Sequence, residues 1–153
     1  MTARSIPALI GWVAAVFLTA AIASIPSTAA YLALDLPPWA PPSSVFGPVW
    51  TVLYVLMGIA AWLVWGERHH APVGTALGLF IAQLVLNALW TWIFFGYGAF
   101  GLAAIEIVVL WVVLLATTIQ FWRIRPAAGA LLVPYLVWVA YAGALTMAIW
   151  ASN

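Results

Sequence analysis

The sequence contains no cysteine. This excludes disulfides, a thiolate nucleophile and any thiolate metal site. Charge is almost as scarce, with four basic and three acidic residues among 153, or 5%. A soluble domain carries roughly 25%, so a soluble globular domain is excluded. A net charge of +1 leaves no basic footprint for nucleic acid. There is also no metal-ligand cluster, no phosphate-cradling glycine loop and no catalytic dyad. Apolar residues take the place of charge: 68% of the chain is hydrophobic, with 11 tryptophans and a mean hydropathy of +1.19. Disorder is excluded on the same ground. The roughly 104 apolar residues suffice for five spans at ~20 residues each. The chain reads as one all-α membrane domain over residues 1–153, a bundle of five transmembrane helices.

Clusters of Pro, Gly and charge divide the apolar runs. They predict helices over about 6–24, 46–65, 73–95, 99–122 and 127–150, with a Pro-rich loop over 25–44. Ser43 or Ser44 is the expected N-cap of the second helix, whose first turn holds Pro48. Gly96-Tyr97-Gly98 reads as a tight turn, and Arg123-Ile124-Arg125-Pro126 as the break before the fifth helix. The charges agree with this count. Five spans place Arg4, Arg68, Arg123 and Arg125, every basic residue in the chain, on one side. The other side has none, so the N-terminus is expected in the cytoplasm, with the Pro-rich loop and the C-terminus outside. Arg4, the following apolar run and Ala21-Ile22-Ala23 also imitate a secretory leader with an A-x-A cleavage site. The segment is expected to remain as the first span.

Polar residues inside spans are functional candidates because burying them in lipid is costly. Asn87 lies about eight residues, or ~12 Å, below the outer end of helix three, and Gln83 one turn deeper. Glu106 lies ~11 Å into helix four from the same side, and Trp138 ~18 Å from the end of helix five. Ala142 sits a turn shallower, and Trp50 and Tyr54 occupy the first two turns of helix two. All fall in the outer half, beneath the Pro-rich loop. Steps of three and four put Phe80, Gln83, Asn87, Trp90 and Phe94 on one face of helix three. Trp50, Tyr54, Met57 and Ala61 form a stripe on helix two, and Tyr135, Trp138, Ala142 and Leu145 one on helix five. Aromatics with a few hydrogen-bonding groups are what a largely apolar pocket requires.

Other readings compete. Asn87 and Gln83 could be interhelical glue. Glu106 could pair structurally with Tyr or Trp donors. Trp39, Trp62, Trp65, Trp122 and Trp150 lie near span ends, where interfacial tryptophans gather. His69 and His70 read as solvated loop residues rather than haem ligands, and no metal site is expected. Gly74, Gly78 and Ala82 form a small-xxx-small ridge on helix three, pointing away from the polar stripe. That ridge suits a homodimer interface or packing within the subunit. Pro134 lies inside helix five and is expected to kink it just before Trp138.

Trp39-Ala-Pro-Pro42, followed by Val45-Phe-Gly-Pro-Val-Trp50-Thr-Val-Leu-Tyr54, resembles the signature of the TspO/MBR family, the tryptophan-rich sensory and translocator proteins. Gln83-Leu-Val-Leu-Asn87-Ala-Leu-Trp90, Phe94-Phe-Gly96 and Pro134-Tyr135-Leu-Val-Trp138 resemble its later motifs, so the likeness covers nearly the whole chain. The resemblance implies a five-helix bundle, usually homodimeric, with one pocket under the first loop. It implies binding of porphyrins such as protoporphyrin IX or haem, of benzodiazepine-type and isoquinoline carboxamide ligands and, in animals, of cholesterol, with no required cofactor. It implies roles in tetrapyrrole signalling and, in some members, light-driven protoporphyrin degradation with tryptophans matching Trp50 and Trp138. Tyr31, Trp39, Asn87 and Ala142 match pocket-lining positions. Two departures weaken the sterol reading: Leu145-Thr146 stands where the family often has Leu-Asn, and no base follows Tyr141.

The expected ligand-binding set is therefore Tyr31, Trp39, Trp50, Tyr54, Gln83, Asn87, Trp90, Glu106, Tyr135, Trp138 and Ala142. Binding or sensing of a planar hydrophobic ligand, a tetrapyrrole first, is the leading reading, in the bilayer of a bacterial envelope. An enzyme would have only Trp50 and Trp138 for its chemistry. A transporter would lack an internal inverted repeat, since five spans do not divide into equal halves.

Overall fold

A computed structural model describes residues 6–26 and 28–153, with 28–30 described in backbone only. Arg4 lies outside the described residues. Five helices are long and apolar enough to cross a membrane. They are α1 (Ile6–Ala23), α2 (Phe46–Gly66), α3 (Gly74–Thr91), α4 (Phe100–Ile124) and α5 (Pro126–Ser152). The predicted spans are thus present within a few residues at each end, and the chain is an integral membrane protein. The helices form a ring in the order α1, α2, α5, α4, α3, closed by an α1–α3 seam, so that consecutive α2 and α3 barely touch. Met57, Phe80, Leu114, Leu132 and Tyr135 fill the centre and are fully buried.

Three local features differ from the sequence reading. Neither Ser43 nor Ser44 caps α2 with its side chain. Pro42 starts a 3₁₀ turn over Ser43–Val45, whose carbonyls take the first amides: Val45 donates to Pro42 at 3.0 Å and Phe46 to Ser43. A side-chain cap is unnecessary because backbone acceptors satisfy those donors. The second difference is at the end of α3, where Trp92–Gly96 widen into a π-turn. Tyr97 donates to the Trp92 carbonyl at 3.0 Å, and the chain then reverses at Gly98, with φ +63°. That conformation suits glycine because it has no Cβ to clash. Third, Trp62 is buried at 8% exposure rather than interfacial, because it faces the bundle in α2. Trp122 and Trp150 do lie exposed at helix ends.

At the opposite end from the Pro-rich loop, Glu67 and Arg125 approach to 3.6 Å and join the α2–α3 and α4–α5 connections. Arg68 donates to the Trp65 carbonyl and lies 4.6 Å over its ring. The α4–α5 hairpin closes tightly there. A Cβ on Gly129 would come within 2.7 Å of the Trp122 backbone, so only glycine permits this approach.

Candidate functional site

A cavity of about 450 Å³ lies at the loop end of the bundle, within the range of small-molecule sites. Its wall is predominantly aromatic. Phe46, Trp50 and Tyr54 come from α2, and Trp138 and Tyr141 from α5. The end of α3 and its π-turn supply Trp90, Phe94 and Phe95. Consecutive Phe94 and Phe95 both lie in the π-turn and both line the wall. The rings meet edge to face or stacked. Trp50 stacks on Tyr54 at 5.5 Å and meets Trp138 edge-on at 6.4 Å. Trp138 meets Tyr141 at 5.6 Å, and Tyr141 meets Trp39 at 5.8 Å. An unbroken aromatic chain therefore runs from the floor of the cavity to the loop.

The loop is tied to the α5 end over it at two points, Trp39 and Asp35, and a third contact, Tyr31 to Pro41, closes the loop on itself. The Tyr31 hydroxyl donates to the Pro41 carbonyl at 2.9 Å, and Tyr141 to the Trp39 carbonyl at 2.7 Å. Asn153 accepts from the Asp35 amide at 3.1 Å and donates back to the Asp35 carbonyl at 3.2 Å. Burial raises the Tyr31 hydroxyl above the ordinary tyrosine pKa, and nearby Tyr141 adds to the effect, so it remains a neutral donor. The prolines around Trp39 restrict the loop before it is tied, which lowers the entropy lost in holding it.

Under the floor lies a fully buried polar chain. Tyr54 donates to Asn87 Oδ1 at 3.0 Å, and Asn87 Nδ2 donates to the Tyr135 hydroxyl at 2.7 Å. Tyr135 in turn donates to Gln83 Oε1 at 2.8 Å, and Gln83 Nε2 lies 3.9 Å from Met57 Sδ. The stripes on α2, α3 and α5 thus converge as their periodicity requires. Their deeper members, however, bond to one another and do not reach the wall.

Of the expected ligand-binding residues, Tyr31, Trp50, Tyr54, Trp90, Trp138 and Ala142 line the cavity. Asn87, Gln83 and Tyr135 do not: they sit beneath it, fixing Tyr54 and the floor. Trp39 is also absent from the wall, and its ring rests on Tyr141 in the loop instead. Glu106 does not reach the wall either. It is 7% exposed in α4, which contributes no residue to the wall, and neither carboxylate oxygen has a hydrogen-bond partner among the described residues. Depth along a helix locates a residue between the membrane surfaces but not around the ring.

Sequence reasoning missed Phe46, Phe95, Tyr141 and the side of the cavity formed by Ala20 and Ala23 of α1 with Ser24 just after it. Tyr141 stands one turn after Trp138, and Ala20, Ala23 and Ser24 repeat at steps of three and one. These signals were present but too ordinary to stand out in an apolar helix. Gly74 and Gly78 lie exposed on the outside of α3, with no atom within 4 Å of an added Cβ at either. Packing of this ridge inside the subunit is thereby excluded. No cluster of His, Asp or Glu that could hold a metal occurs among the described residues.

A TspO/MBR family model matches residues 5–151. The human translocator protein is 38% identical over 125 residues, covering 80% of this chain and 74% of its own. CrtK of Rhodobacter capsulatus is 38% identical over 126 residues, covering 80% and 78%. The tryptophan-rich protein TspO of Chlorobaculum tepidum is 38% identical over 131 residues, covering 84% and 82%. With nearly the whole chain matched and five membrane-spanning helices around one aromatic cavity, the protein belongs to the TspO/MBR family.

Proposed function

We propose that the protein binds a planar aromatic ligand, a tetrapyrrole first among them, in the cavity under the loop, and acts in tetrapyrrole sensing or regulation. The observation that carries this reading is the wall itself: Trp50, Trp90, Trp138 and their aromatic neighbours surround about 450 Å³ of space beneath a tethered loop. Stacked and edge-on rings each contribute about 0.5–1.5 kcal/mol beyond area burial. A flat π-system therefore gains more here than a flexible apolar chain of equal area. Names of relatives such as "tryptophan-rich sensory protein" in Cereibacter sphaeroides fit a sensory role. The exposed Gly74–Gly78–Ala82 ridge supports a homodimer through α3, and the arginines at the far end support a cytoplasmic N-terminus.

Tryptophan quenching on titration with protoporphyrin IX tests the reading. Trp138→Ala and Ala142→Thr should each weaken binding, the first by lost ring contact and the second by bulk at the wall. Unchanged affinity in both variants would move the site elsewhere. A second reading, light-driven oxidation of the porphyrin by dioxygen, is favoured by the 6.4 Å contact between Trp50 and Trp138. In the same samples, Trp138→Phe should keep most of the affinity. It should abolish loss of the porphyrin Soret band under illumination only if the indole takes part.

A further inference from the structure

The seam between α1 and α2 carries a second concavity, away from the aromatic cavity and about 460 Å³ in volume. The two helices pack closely there. A Cβ on Gly58 would lie 2.8 Å from Val13 Cγ2, so glycine permits the approach. Leu9, Ile10, Val13 and Phe17 on α1 face Val55 and Ile59 on α2 across the groove. None of these side chains can hydrogen-bond, and Ile10, Phe17 and Val55 are exposed. From Leu9 to Phe17 the groove runs about 12 Å along α1. Leu9 stands one turn from the arginine end of α1, and Phe17 stands six residues from its other end. The groove therefore occupies one leaflet, whose hydrocarbon is about 15 Å deep.

Shape and depth suit one acyl chain lying along the helices. A rigid flat ligand finds no polar atom there to orient it. A second copy of the chain finds only Ala14 small enough for close backbone approach. Lipid and leucine are equally apolar, however, so the groove alone selects weakly, and the headgroup must supply the rest. At the arginine end of the same seam, Trp12 of α1 meets Trp65 of α2 at 6.2 Å. The Arg68 guanidinium lies 4.6 Å over the Trp65 ring and gives one N–H to the Trp65 carbonyl at 2.9 Å. Arg68 is thus held at the seam while exposed, with further N–H groups of its fork open to phosphate oxygens. The neighbouring acid, Glu67, pairs with Arg125 at 3.6 Å instead.

We propose that the α1–α2 seam is a phospholipid site in the leaflet at the arginine end, with one acyl chain in the groove and the phosphate at Arg68. With Glu67 engaged elsewhere, Arg68 keeps its charge for the headgroup. A lipid of net negative charge is therefore favoured over one whose choline cancels the phosphate. The site is independent of what fills the aromatic cavity.

The test places the full chain in nanodiscs of equal phosphatidylglycerol and phosphatidylcholine. Native mass spectrometry then counts the lipids it retains on release. The unaltered protein is expected to keep one lipid per chain, phosphatidylglycerol about fivefold over phosphatidylcholine, as one basic residue near the membrane surface provides. Arg68→Gln should bring that ratio close to one. Arg123→Gln, on α4 and off the seam, should change it less than twofold. Ala14→Trp and Val55→Trp fill the groove from either helix, and neither residue lines the aromatic cavity. Each should lower retention of both lipids at least threefold, with elution on size exclusion unchanged. Equal loss of preference in Arg68→Gln and Arg123→Gln would mean diffuse attraction and overturns the site. Undiminished retention in both groove-filling variants overturns it too. If those variants shift a dimer to monomer with retention unchanged, the groove holds a second copy and the lipid proposal fails.

Discussion

At the residue scale, Asn87 has the most demanding position in the cavity floor. Its amide accepts from Tyr54 and donates to Tyr135, joining three helices through one side chain. A buried hydroxyl that loses its partner costs about 1–3 kcal/mol, more than the net value of the bond itself. Asn87→Leu breaks two bonds at once, stranding the Tyr54 hydroxyl and leaving Tyr135 only its bond to Gln83, whereas Tyr54→Phe breaks one and leaves the Asn87–Tyr135 bond. Thermal unfolding in detergent, followed by tryptophan emission, should therefore show a clearly larger loss for Asn87→Leu than for Tyr54→Phe. Equal losses would mean that the chain fills space without directing the floor. The sequence made Asn87 conspicuous because an amide in an apolar span needs a partner. It did not reveal that the partner is protein rather than ligand, because helical spacing gives the face and not the distance to the cavity. Glu106 marks the same limit more severely: its depth was legible, but its position around the ring was not.

At the element scale, the helices themselves were the most legible feature, because ~20 apolar residues between charged or Gly-Pro breaks leave little choice in a membrane. The π-turn over Trp92–Gly96 was not legible. No residue type marks an extra residue in a helix. The α3 ridge was legible as a pattern but ambiguous in use until the structure left Gly74 and Gly78 open to the outside. Membrane helices associate by close backbone approach, since lipid and leucine are equally apolar. Gly78→Leu meets nothing inside the subunit, so the monomer should fold and keep its cavity. It should nonetheless shift a dimer to monomer on size exclusion with light scattering. A Gly78→Leu protein that remains dimeric would place the interface elsewhere. Gly129 provides the contrast, because there the close approach is internal. Ala at 129 would press on the Trp122 backbone and should lower the melting temperature of the monomer itself.

At the scale of the whole molecule, the distribution of charge and the position of the cavity point the same way. The described arginines and Glu67 gather at one end, where Glu67 and Arg125 link two interhelical connections. The cavity and the loop that covers it occupy the other end, with Asp35. Arginine near short loops is retained on the cytoplasmic side during insertion, and acidic residues have little influence on orientation. The arginine end should therefore face the cytoplasm, and the ligand should reach the cavity from the outer side or from the outer leaflet. This follows from three described arginines in two connections, so it does not depend on the N-terminus. A reporter that is active only in the cytoplasm, fused after Asn153, should be silent, and one that needs an oxidising exterior should be active. Moving the bias tests the cause as well as the outcome. Arg68→Ala together with Arg125→Ala removes charge from both connections and should produce a mixed orientation, with both reporters partly active. If the C-terminal fusion of the unaltered chain reads cytoplasmic, the loop faces inward, and ligand capture would then draw on the cytoplasmic pool.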